Sequence, residues 1–569
     1  MYRLFLCLHY LRSRVIAYFA VLGVALCVAM MLIVVSVMNG FLDKVEKAAK
    51  GLFGDIVVEA GAGGMSQYDE FIQELKEKVP EVQAASPFIQ TFGILQVPGT
   101  VYRQIVTLAG VRLPERAAVS DFEQGLWVQK GIGEPSFDPP VSLMQQRVQD
   151  HLGLIARLER ELAKGAPYSS QTAQDLAERL GRATYFSESA LGALDRYAPV
   201  QPVVDRFQQE LARQEAKLGA ATQAGAASQG VTPEGPTAEQ IEKLQQQLGE
   251  LTETSGYLTN DYHAILGLGI EGLMFRTPDG QVIRFLLPGD KITLTLVPMG
   301  RRMTATVTPN TATFLVVDDA RTDVASIDSS IVYLPFDTLQ LLNDLGPEYG
   351  AEDNRLINPA RTRQIHIKVS QNIQGEAQLR RVRDRIQDLW VDFLERCPWA
   401  GRDVEVRTWR QQQAGVVEPI ETQRTLTVIM FGIISMVSVV LIFVIFYMIV
   451  FQKTRDIGVL KSIGASSGGV AAIFLAYGAA IGLAGSILGA IGGYFFVRNI
   501  NPIQDAVDRW FGFRVWSREV FMFEMIPNEV RLIPALLIVA GAIVAGLLGA
   551  LLPAWRAARM QPVEALRYE

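Results

Sequence analysis

One short segment of the chain has the residue types and spacing of a partner-binding helix, whereas no part of the chain has those of a catalytic centre. Residues 452–465 read Gln-Lys-Thr-Arg-Asp-Ile-Gly-Val-Leu-Lys-Ser-Ile-Gly-Ala. As a helix, this segment could present an apolar side chain to a cytoplasmic partner. A helix of this composition could equally lie at a membrane surface with its cations reaching the headgroups, and the spacing favours neither alternative. The candidate contact residues are Arg455, Asp456, Ile457, Leu460, Lys461 and Gly464.

The sequence contains none of the common signatures of catalysis. It has no Gly-Lys dipeptide and therefore no Gly-x-x-x-x-Gly-Lys-Ser/Thr phosphate-binding loop. Its four histidines lack the spacing of metal ligands, and no nucleophile stands out with a plausible base. The sequence therefore predicts a protein that is not an enzyme and has no catalytic, cofactor-binding or metal site. The histidines are His9, His151, His263 and His366.

Four uncharged stretches frame the 452–465 segment, at 15–38, 425–452, 466–497 and 532–555. At a rise of about 1.5 Å per residue, each stretch is long enough to cross a hydrocarbon core of about 30 Å. The sequence thus predicts one N-terminal and three C-terminal transmembrane helices, with a long and mostly polar region after the first.

Basic residues at the ends of these stretches predict the orientation. Cytoplasmic flanks of membrane helices are enriched in lysine and arginine. Both termini should therefore be cytoplasmic, and residues 39–424 and 498–531 should lie outside. The flanking cations are Arg3, Arg12 and Arg14 before the first stretch, Lys453, Arg455 and Lys461 after the second, and Arg556, Arg559 and Arg567 after the fourth.

The outer region has the pattern of two α/β segments separated by a helical insertion. Residues 39–114 and 263–424 alternate strand-like runs with helices that begin near Ser66 and Glu376. The β-rich stretch within 282–334 suggests a second, small β subdomain. Residues 115–262 instead repeat apolar residues at three-four spacing, which predicts coiled-coil-like helices, with a flexible linker at 219–236.

Bulk composition limits the class of protein. The mean hydropathy of +0.19 fits a membrane protein that keeps most of its mass in water. The formal charge of −6, with cations grouped at membrane flanks, argues against nucleic-acid binding. Of three cysteines only Cys397 lies in the outer region, so no disulfide can form within it. The predicted fold class is an α+β membrane protein with a large extracytoplasmic α/β plus β domain.

Two motifs resemble a known transporter superfamily. Residues 452–465 resemble the coupling segment Lys/Arg-x-x-Asp/Glu-Ile-x-Ile/Val-Leu-Lys-x-x-Gly-Ala of ABC-transporter permeases of the FtsX/MacB superfamily. Residues 552–569, which begin Leu-Pro-Ala-Trp-Arg, are similar to the C-terminal signature of the same superfamily.

Further motifs are similar to those of lipoprotein-releasing permeases of the LolC/LolE type. They are Ser-Val-Met-Asn-Gly-Phe at 36–41, Pro-Gly-Asp-Lys-Ile at 288–292, and Trp409. The resemblance covers roughly residues 1–113 and 264–569, and residues 115–262 have no counterpart in the short members of the family. Either a partner-binding arm or a lineage-specific addition would account for this insertion.

The resemblance implies the permease subunit of an ABC transporter in a bacterial inner membrane, with mechanotransmission from ATPases that bind the ATP. It implies lipoproteins as cargo; MacB-like efflux of peptides or hydrophobic compounds, and FtsX-like regulation of cell-wall hydrolases without transport, are the alternatives. The implied partners are cytoplasmic ABC ATPase subunits, a second permease subunit in a homo- or heterodimer, lipoproteins, a periplasmic carrier and membrane lipids, with no nucleic acid.

Several soft side chains in the first two predicted spans could accept acyl chains. Methionines that pack between helices are commoner, so the sequence supports this role only as a hypothesis. These candidate substrate-pathway residues are Met30, Met31, Met38, Met430, Phe431 and Met436.

The predicted organisation follows the chain from end to end. It comprises a cytoplasmic interfacial helix (1–14), the first span (15–38), the first outer part (39–114), the helical insertion (115–262), the second outer part (263–424), the second span (425–452), the coupling segment (453–465), the third span (466–497), an outer loop (498–531), the fourth span (532–555) and a cytoplasmic tail (556–569).

This topology predicts that single cysteines at Ser66 and Ser467, in a background without the native cysteines, react with a membrane-impermeant reagent from opposite sides. The basic flanks are the physical reason. Accessibility labelling in intact cells and in inverted vesicles measures the result, and reaction from the same side would contradict the topology.

Overall fold

The structure is a computed structural model that describes residues 15–561, except 62, 121, 165–169, 226–237, 278–279, 299–307, 323–324, 350–354, 374, 402, 453 and 512–525. The chain divides into two compact units. The membrane unit is 1–47 with 413–569, and the outer unit is 48–412. The interfacial helix predicted at 1–14 lies outside the described residues.

The helices are α1 (Val15–Phe53), α2 (Tyr68–Lys78), α3 (Leu113–Val119), α4 (Val141–Ala163), α5 (Ser170–Tyr197), α6 (Gln201–Gly225), α7 (Ala238–Ser255), α8 (Ala325–Asp328), α9 (Phe336–Leu342), α10 (Glu376–Arg396), α11 (Trp409–Gln412), α12 (Ala414–Gln452), α13 (Thr454–Ser462), α14 (Ser467–Arg498), α15 (Ile500–Phe511) and α16 (Leu532–Arg559). Short 3-10 turns occupy Phe122–Gly125 and Asn260–Tyr262.

The strands are β1 (Ile56–Ala60), β2 (Met65–Ser66), β3 (Val82–Gln96), β4 (Arg103–Val111), β5 (His263–Gly267), β6 (Met274–Arg276), β7 (Val282–Arg284), β8 (Lys291–Leu296), β9 (Asn310–Ala320), β10 (Ile331–Pro335), β11 (Glu348–Tyr349), β12 (Leu356–Asn358), β13 (Arg361–Thr362), β14 (Gln364–Val369) and β15 (Val404–Thr408). Within the β-rich stretch predicted at 282–334, residues 299–307 and 323–324 lie outside the described residues.

Three helices within the described residues are long and apolar enough to cross a membrane, namely Tyr18–Lys47 within α1, Ser467–Arg498 and Leu532–Arg559. They correspond to the predicted first, third and fourth spans. The predicted second span, 425–452, lies within the continuous helix α12. Of α12, only Ile442–Gln452 is recognised as an apolar helix, so a fourth span remains a prediction.

Glycines on α14 let its neighbours approach closely in the membrane unit. A Cβ at Gly489 would lie 2.5 Å from the Ala25 carbonyl oxygen on α1, and one at Gly478 would lie 2.5 Å from Cβ of Ala550 on α16. Lipid supplies no hydrophobic force between helices, so such close backbone packing is what holds membrane helices together. The α14 glycines that face α1 are Gly485, Gly489 and Gly493, and those that face α16 are Gly478 and Gly482.

The outer unit contains one nine-stranded sheet among its described residues, in the order β15-β1-β14-β3-β4-β10-β5-β9-β8. Strand β3 also pairs with β8, so six of the strands close into a barrel. One edge of β3 therefore has two partners, β14 along its first half and β8 along its second half. The predicted separate β subdomain is wrong because this long strand joins both parts into one sheet.

The end of the sheet outside the barrel has the pattern of a split β-α-β fold. Strands β1, β3, β14 and β15 are antiparallel neighbours, and helices α2 and α10 connect them in pairs. The two helices pack together through Phe71, whose ring centroid lies 4.8 Å from that of Trp390 and 5.4 Å from that of Phe393. The two predicted α/β segments thus form one layer.

The helical insertion shares its core with the barrel. Val141 and Met144 of α4 and Leu194 of α5 belong to the same buried cluster as Leu315 and Tyr333 of the barrel strands. Removal of the insertion would therefore expose this cluster to water, so the insertion belongs to the core of the outer unit.

A buried carboxylate also ties the insertion to the barrel. Asp318 of β9 accepts backbone N–H bonds from Trp127, Val128 and Gln129 at 3.1, 2.7 and 3.1 Å. The segment that leads into α4 is therefore fixed to the barrel by hydrogen bonds that would be costly to leave unmade.

Several local predictions need correction. Ser66 does not cap helix α2, which begins at Tyr68 after Gln67 in the left-handed region. The Ser66 hydroxyl instead donates to the Trp399 carbonyl oxygen, and the residue is buried. Cysteine labelling therefore requires an exposed residue such as Gln73 on α2. Helix α6 continues to Gly225, into the linker predicted at 219–236.

We predict that Gly489→Val lowers the thermal midpoint of the purified full chain in detergent, because overpacking costs about 1–3 kcal/mol and the clash here is with backbone. Gly492→Val is the matched control, since nothing lies within 4 Å of a Cβ at that position on the same helix. Equal midpoints for the two variants would contradict the packing of α1 on α14.

Candidate functional site

The segment predicted to bind a partner is the short helix α13, Thr454–Ser462, between α12 and α14. At its start, the Thr454 hydroxyl lies within hydrogen-bond distance of the carbonyl oxygens of Val450 (3.2 Å) and Phe451 (2.8 Å), in the last turn of α12. After its end, Gly464 has a φ of +104°, which glycine adopts without strain. The helix thus contacts the end of α12 at its start and is followed by a glycine turn.

One apolar residue of α13 faces the membrane unit. Ile457 is 3% exposed and packs in a cluster with Val450, Val470 and Ala557. These partners belong to α12, α14 and α16, so the cluster joins α13 to the ends of three longer helices. Ile457 was predicted as a coupling contact, and its burial makes it an internal anchor of the segment.

Lys461 also contacts this chain. Its Nζ donates to the carbonyl oxygens of Ala558 at 2.6 Å and Met560 at 2.7 Å, at the C-terminal end of α16. The last carbonyls of a helix lack intrahelical partners and carry partial negative charge, so an ammonium is favoured there. Lys461 therefore caps α16.

The opposite side of the segment is exposed and partly apolar. Val459 is 43% exposed and Ile463 is 80% exposed, four residues apart. Arg455 is exposed as well, whereas the side chains of Asp456 and Leu460 lie outside the described part of the chain. Val459 and Ile463, with Arg455 beside them, form what we call the coupling face.

A second group of contacts joins α1 and α15 to the segment before α16. A Cβ at Gly40, in the 36–41 motif of α1, would lie 2.6 Å from Cβ of Pro527. The Arg531 guanidinium donates to the Asp43 carboxylate. The Asn501 side chain bonds both backbone groups of Ile526, at 2.9 and 3.1 Å. The 36–41 motif therefore lies where α1 meets the segment before α16.

The candidate substrate-pathway residues divide into two groups. Met430 and Met436 on α12 and Met30 on α1 are exposed. Phe431 is buried, and Met31 packs against the buried cluster of the membrane unit. The first three keep the exposed surface that contact with an acyl chain requires, whereas the other two do not. Met38 is half-buried.

The 288–292 motif forms a turn beneath the insertion. Gly289 has a φ of +101°, and a Cβ there would lie 2.9 Å from Cγ of Leu194 on α5. The Asp290 carboxylate accepts the Leu287 N–H at 2.9 Å, and burial raises the pKa of Asp290 to about 7. Gly289 therefore leaves room for a helix of the insertion to pack against this turn.

The three described histidines are buried and contact other groups of this chain. His366 accepts a hydrogen bond from Arg116 at Nδ1 (2.7 Å), and burial holds its pKa well below the usual value. Burial also lowers the pKa of His151 to about 4. The ring nitrogens of His263 lie 2.6 and 3.1 Å from the carbonyl oxygens of Phe137 and Leu258.

Comparison with protein families matches both ends of the chain. Residues 428–562 match the family described as FtsX-like permease C-terminal. Residues 18–154 match the MacB-like periplasmic core domain. The chain is an FtsX-like permease with a MacB-like periplasmic core. The second match ends within α4, beyond residue 115 where the insertion was predicted to begin. A permease of this family is a transmembrane subunit without an ATPase domain.

Curated relatives of this permease are similar over part of their length. The permease is 30% identical over 164 residues to the lipoprotein-releasing system transmembrane protein LolC of Xylella fastidiosa (strain 9a5c), covering 29% of this chain and 40% of that protein. It is 24% identical over 281 residues to LolC of Neisseria meningitidis, covering 49% of this chain and 61% of that protein. It is 28% identical over 119 residues to LolE of Haemophilus influenzae, covering 21% of this chain and 29% of that protein. The aligned parts span less than two thirds of these relatives.

Sequence reasoning missed two features of the site. It did not distinguish Ile457, which is buried, from Ile463, which is exposed, although a helix ending at Ser462 before Gly464 would have separated them. It also had no means to find the partners of Lys461, because backbone carbonyls carry no residue-type signal. The basic residues around α16 were interpreted only as a cytoplasmic flank.

We predict that Asp290→Asn alters the pH dependence of stability. A carboxyl with a raised pKa stabilises the folded state below its unfolded pKa, and this contribution is lost as the pH rises through about 7. The thermal midpoint of the variant minus that of the wild type should therefore increase as the pH is raised from about 5 to about 8. Asp150→Asn, at an exposed position on α4, is the control for loss of one charge. A midpoint difference independent of pH would contradict the burial of Asp290.

Proposed function

We propose that this permease is the membrane subunit of an ABC transporter that works by mechanotransmission, with both termini in the cytoplasm and a second permease subunit beside it. Cytoplasmic ABC ATPases would bind the coupling face and displace it during their cycle. The observation that carries this proposal is the division of the coupling segment into an inner side, anchored by Ile457, and an exposed side with Val459 of α13 and Ile463 just after it. Such a helix can receive force from a partner and pass it to the helices it is anchored on.

Lipoproteins are the cargo that we propose. The support is similarity to proteins named as lipoprotein-releasing system transmembrane proteins. Exposed Met30, Met430 and Met436 add side chains of the polarizable, flexible kind that accommodates acyl chains. Efflux of hydrophobic compounds is a second candidate, because the outer core matches a MacB-like domain.

We predict that Ile463→Asp abolishes co-purification of the cognate ABC ATPase and leaves lipoproteins in the inner membrane, because a carboxylate would be desolvated at the contact. Ile463→Leu is the matched control and should retain both activities, since it keeps an apolar side chain at an exposed position. Co-purification is measured from detergent extracts, and lipoprotein distribution after separation of the membranes.

The two readouts test different parts of the proposal. Normal ATPase binding by Ile463→Asp would contradict the coupling face. Normal lipoprotein distribution in cells depleted of the whole permease would exclude lipoprotein release, and loss of export of a hydrophobic compound in those cells would favour efflux.

A further inference from the structure

Lys461 has a more specific role than the 452–465 motif indicates. Its Nζ lies 2.6 Å from the Ala558 carbonyl oxygen and 2.7 Å from that of Met560. Both distances are those of strong charge-assisted hydrogen bonds. Both acceptors are backbone atoms of this chain, at the point where α16 ends after Arg559.

The end of α16 requires such a donor. Met560 leaves the helix with φ −58° and ψ 133°, an extended conformation that does not form the usual left-handed cap. The carbonyl oxygens of the last turn must then accept hydrogen bonds from donors outside the helix. Lys461 supplies two hydrogen bonds and a positive charge, both favourable at a helix C-terminus.

An apolar contact accompanies the polar one. Ile457, one turn before Lys461 on α13, packs against Ala557 of α16, and Met560 lies against the same cluster. The two side chains therefore hold α13 to successive residues of the last turn of α16. Neither contact depends on any other protein.

We propose that Lys461 is a positioning residue that locks the coupling segment to the C-terminal end of α16, so that displacement of α13 moves α16 as well as the directly connected α12 and α14. The role of this link in energy coupling rests on the function proposed above, whereas the link itself does not. Its alternative is direct contact of Lys461 with the ATPase.

The link has a consequence for the whole membrane unit. Helix α16 packs along α14 through Gly478, Gly482 and Gly546, and against α12 where Gly549 meets Ile442. A helix held in this way cannot slide without its neighbours. With Lys461 bound to its end, α16 becomes a third helix, after α12 and α14, through which a displacement of α13 reaches the membrane unit.

The test compares Lys461→Met, which removes the charge and keeps an unbranched side chain, with Lys461→Arg, which keeps the donors. Arg455→Met is the control for the distance measurement alone, because Arg455 is a cation on the same helix with an exposed side chain but belongs to the coupling face. Spin labels at cysteines replacing Ser462 and Gln561, in a chain without its native cysteines, report the distance between α13 and the end of α16. The full-length permease is studied in nanodiscs, alone and with its ATPase.

We expect Lys461→Met to lengthen the Ser462–Gln561 distance and to broaden its distribution. The ATPase should still co-purify, but the amount of cargo transported per ATP hydrolysed should fall. Lys461→Arg should restore the narrow distribution and the coupling, and Arg455→Met should leave the distance unchanged. An unchanged distance in Lys461→Met would overturn the proposal, and loss of the ATPase at an unchanged distance would assign Lys461 to direct contact.

The distance measurement separates this inference from the proposed function. If the wild-type permease binds no ATPase, the proposed function fails, while the distance in the permease alone still shows whether Lys461 holds α16. If the distance changes but the transport coupling does not, the link is structural only and the positioning role is overturned.

Discussion

The membrane unit depends on close contact between the backbone of α14 and those of α1 and α16. Van der Waals packing must supply the attraction, because lipid is as apolar as the side chains it would replace. The glycines at 485, 489 and 493 allow α1 to pack closely, and those at 478 and 482 allow α16 to do so. Helix α14 is therefore the common support of two helices that are far apart in sequence.

The outer unit is held by a different constraint, the double pairing of β3. One long strand pairs with β14 and then with β8 along the same edge, so a split β-α-β layer and a barrel become one sheet. The insertion helices then cover one side of the barrel with Val141, Met144 and Leu194. Because this cluster is continuous, the insertion is part of the domain that it interrupts.

Periodicity predicted the elements that carry a strong apolar stripe. Helix α10 begins at Glu376 as predicted, and Val382, Ile386 and Phe393 are buried as its three-four spacing requires. Helix α5 has a weaker stripe within the predicted helical insertion, because alanine and serine occupy several of its buried positions: Leu176, Leu180, Ala183, Ser187, Ala190 and Leu194. The shared edge of β3 was missed for another reason, since pairing between distant strands leaves no local pattern. At the coupling segment, the sequence indicated an amphipathic helix but not which apolar residue would face inward.

The anchoring of α13 explains how a short helix could transmit force. Displacement of a loosely attached segment would be lost in local bending, whereas α13 has its own contact to each neighbour: Thr454 to the end of α12, Ile457 to Val470 of α14, and Lys461 to α16. Helix α14 in turn holds α1 through its glycines, and α1 runs without interruption to Phe53, three residues before β1. A displacement at the coupling face therefore has a packed path through α14 to α1 within the membrane unit. Because every step of this path is a close packing contact or a hydrogen bond, little of the displacement needs to be absorbed by side-chain rotation.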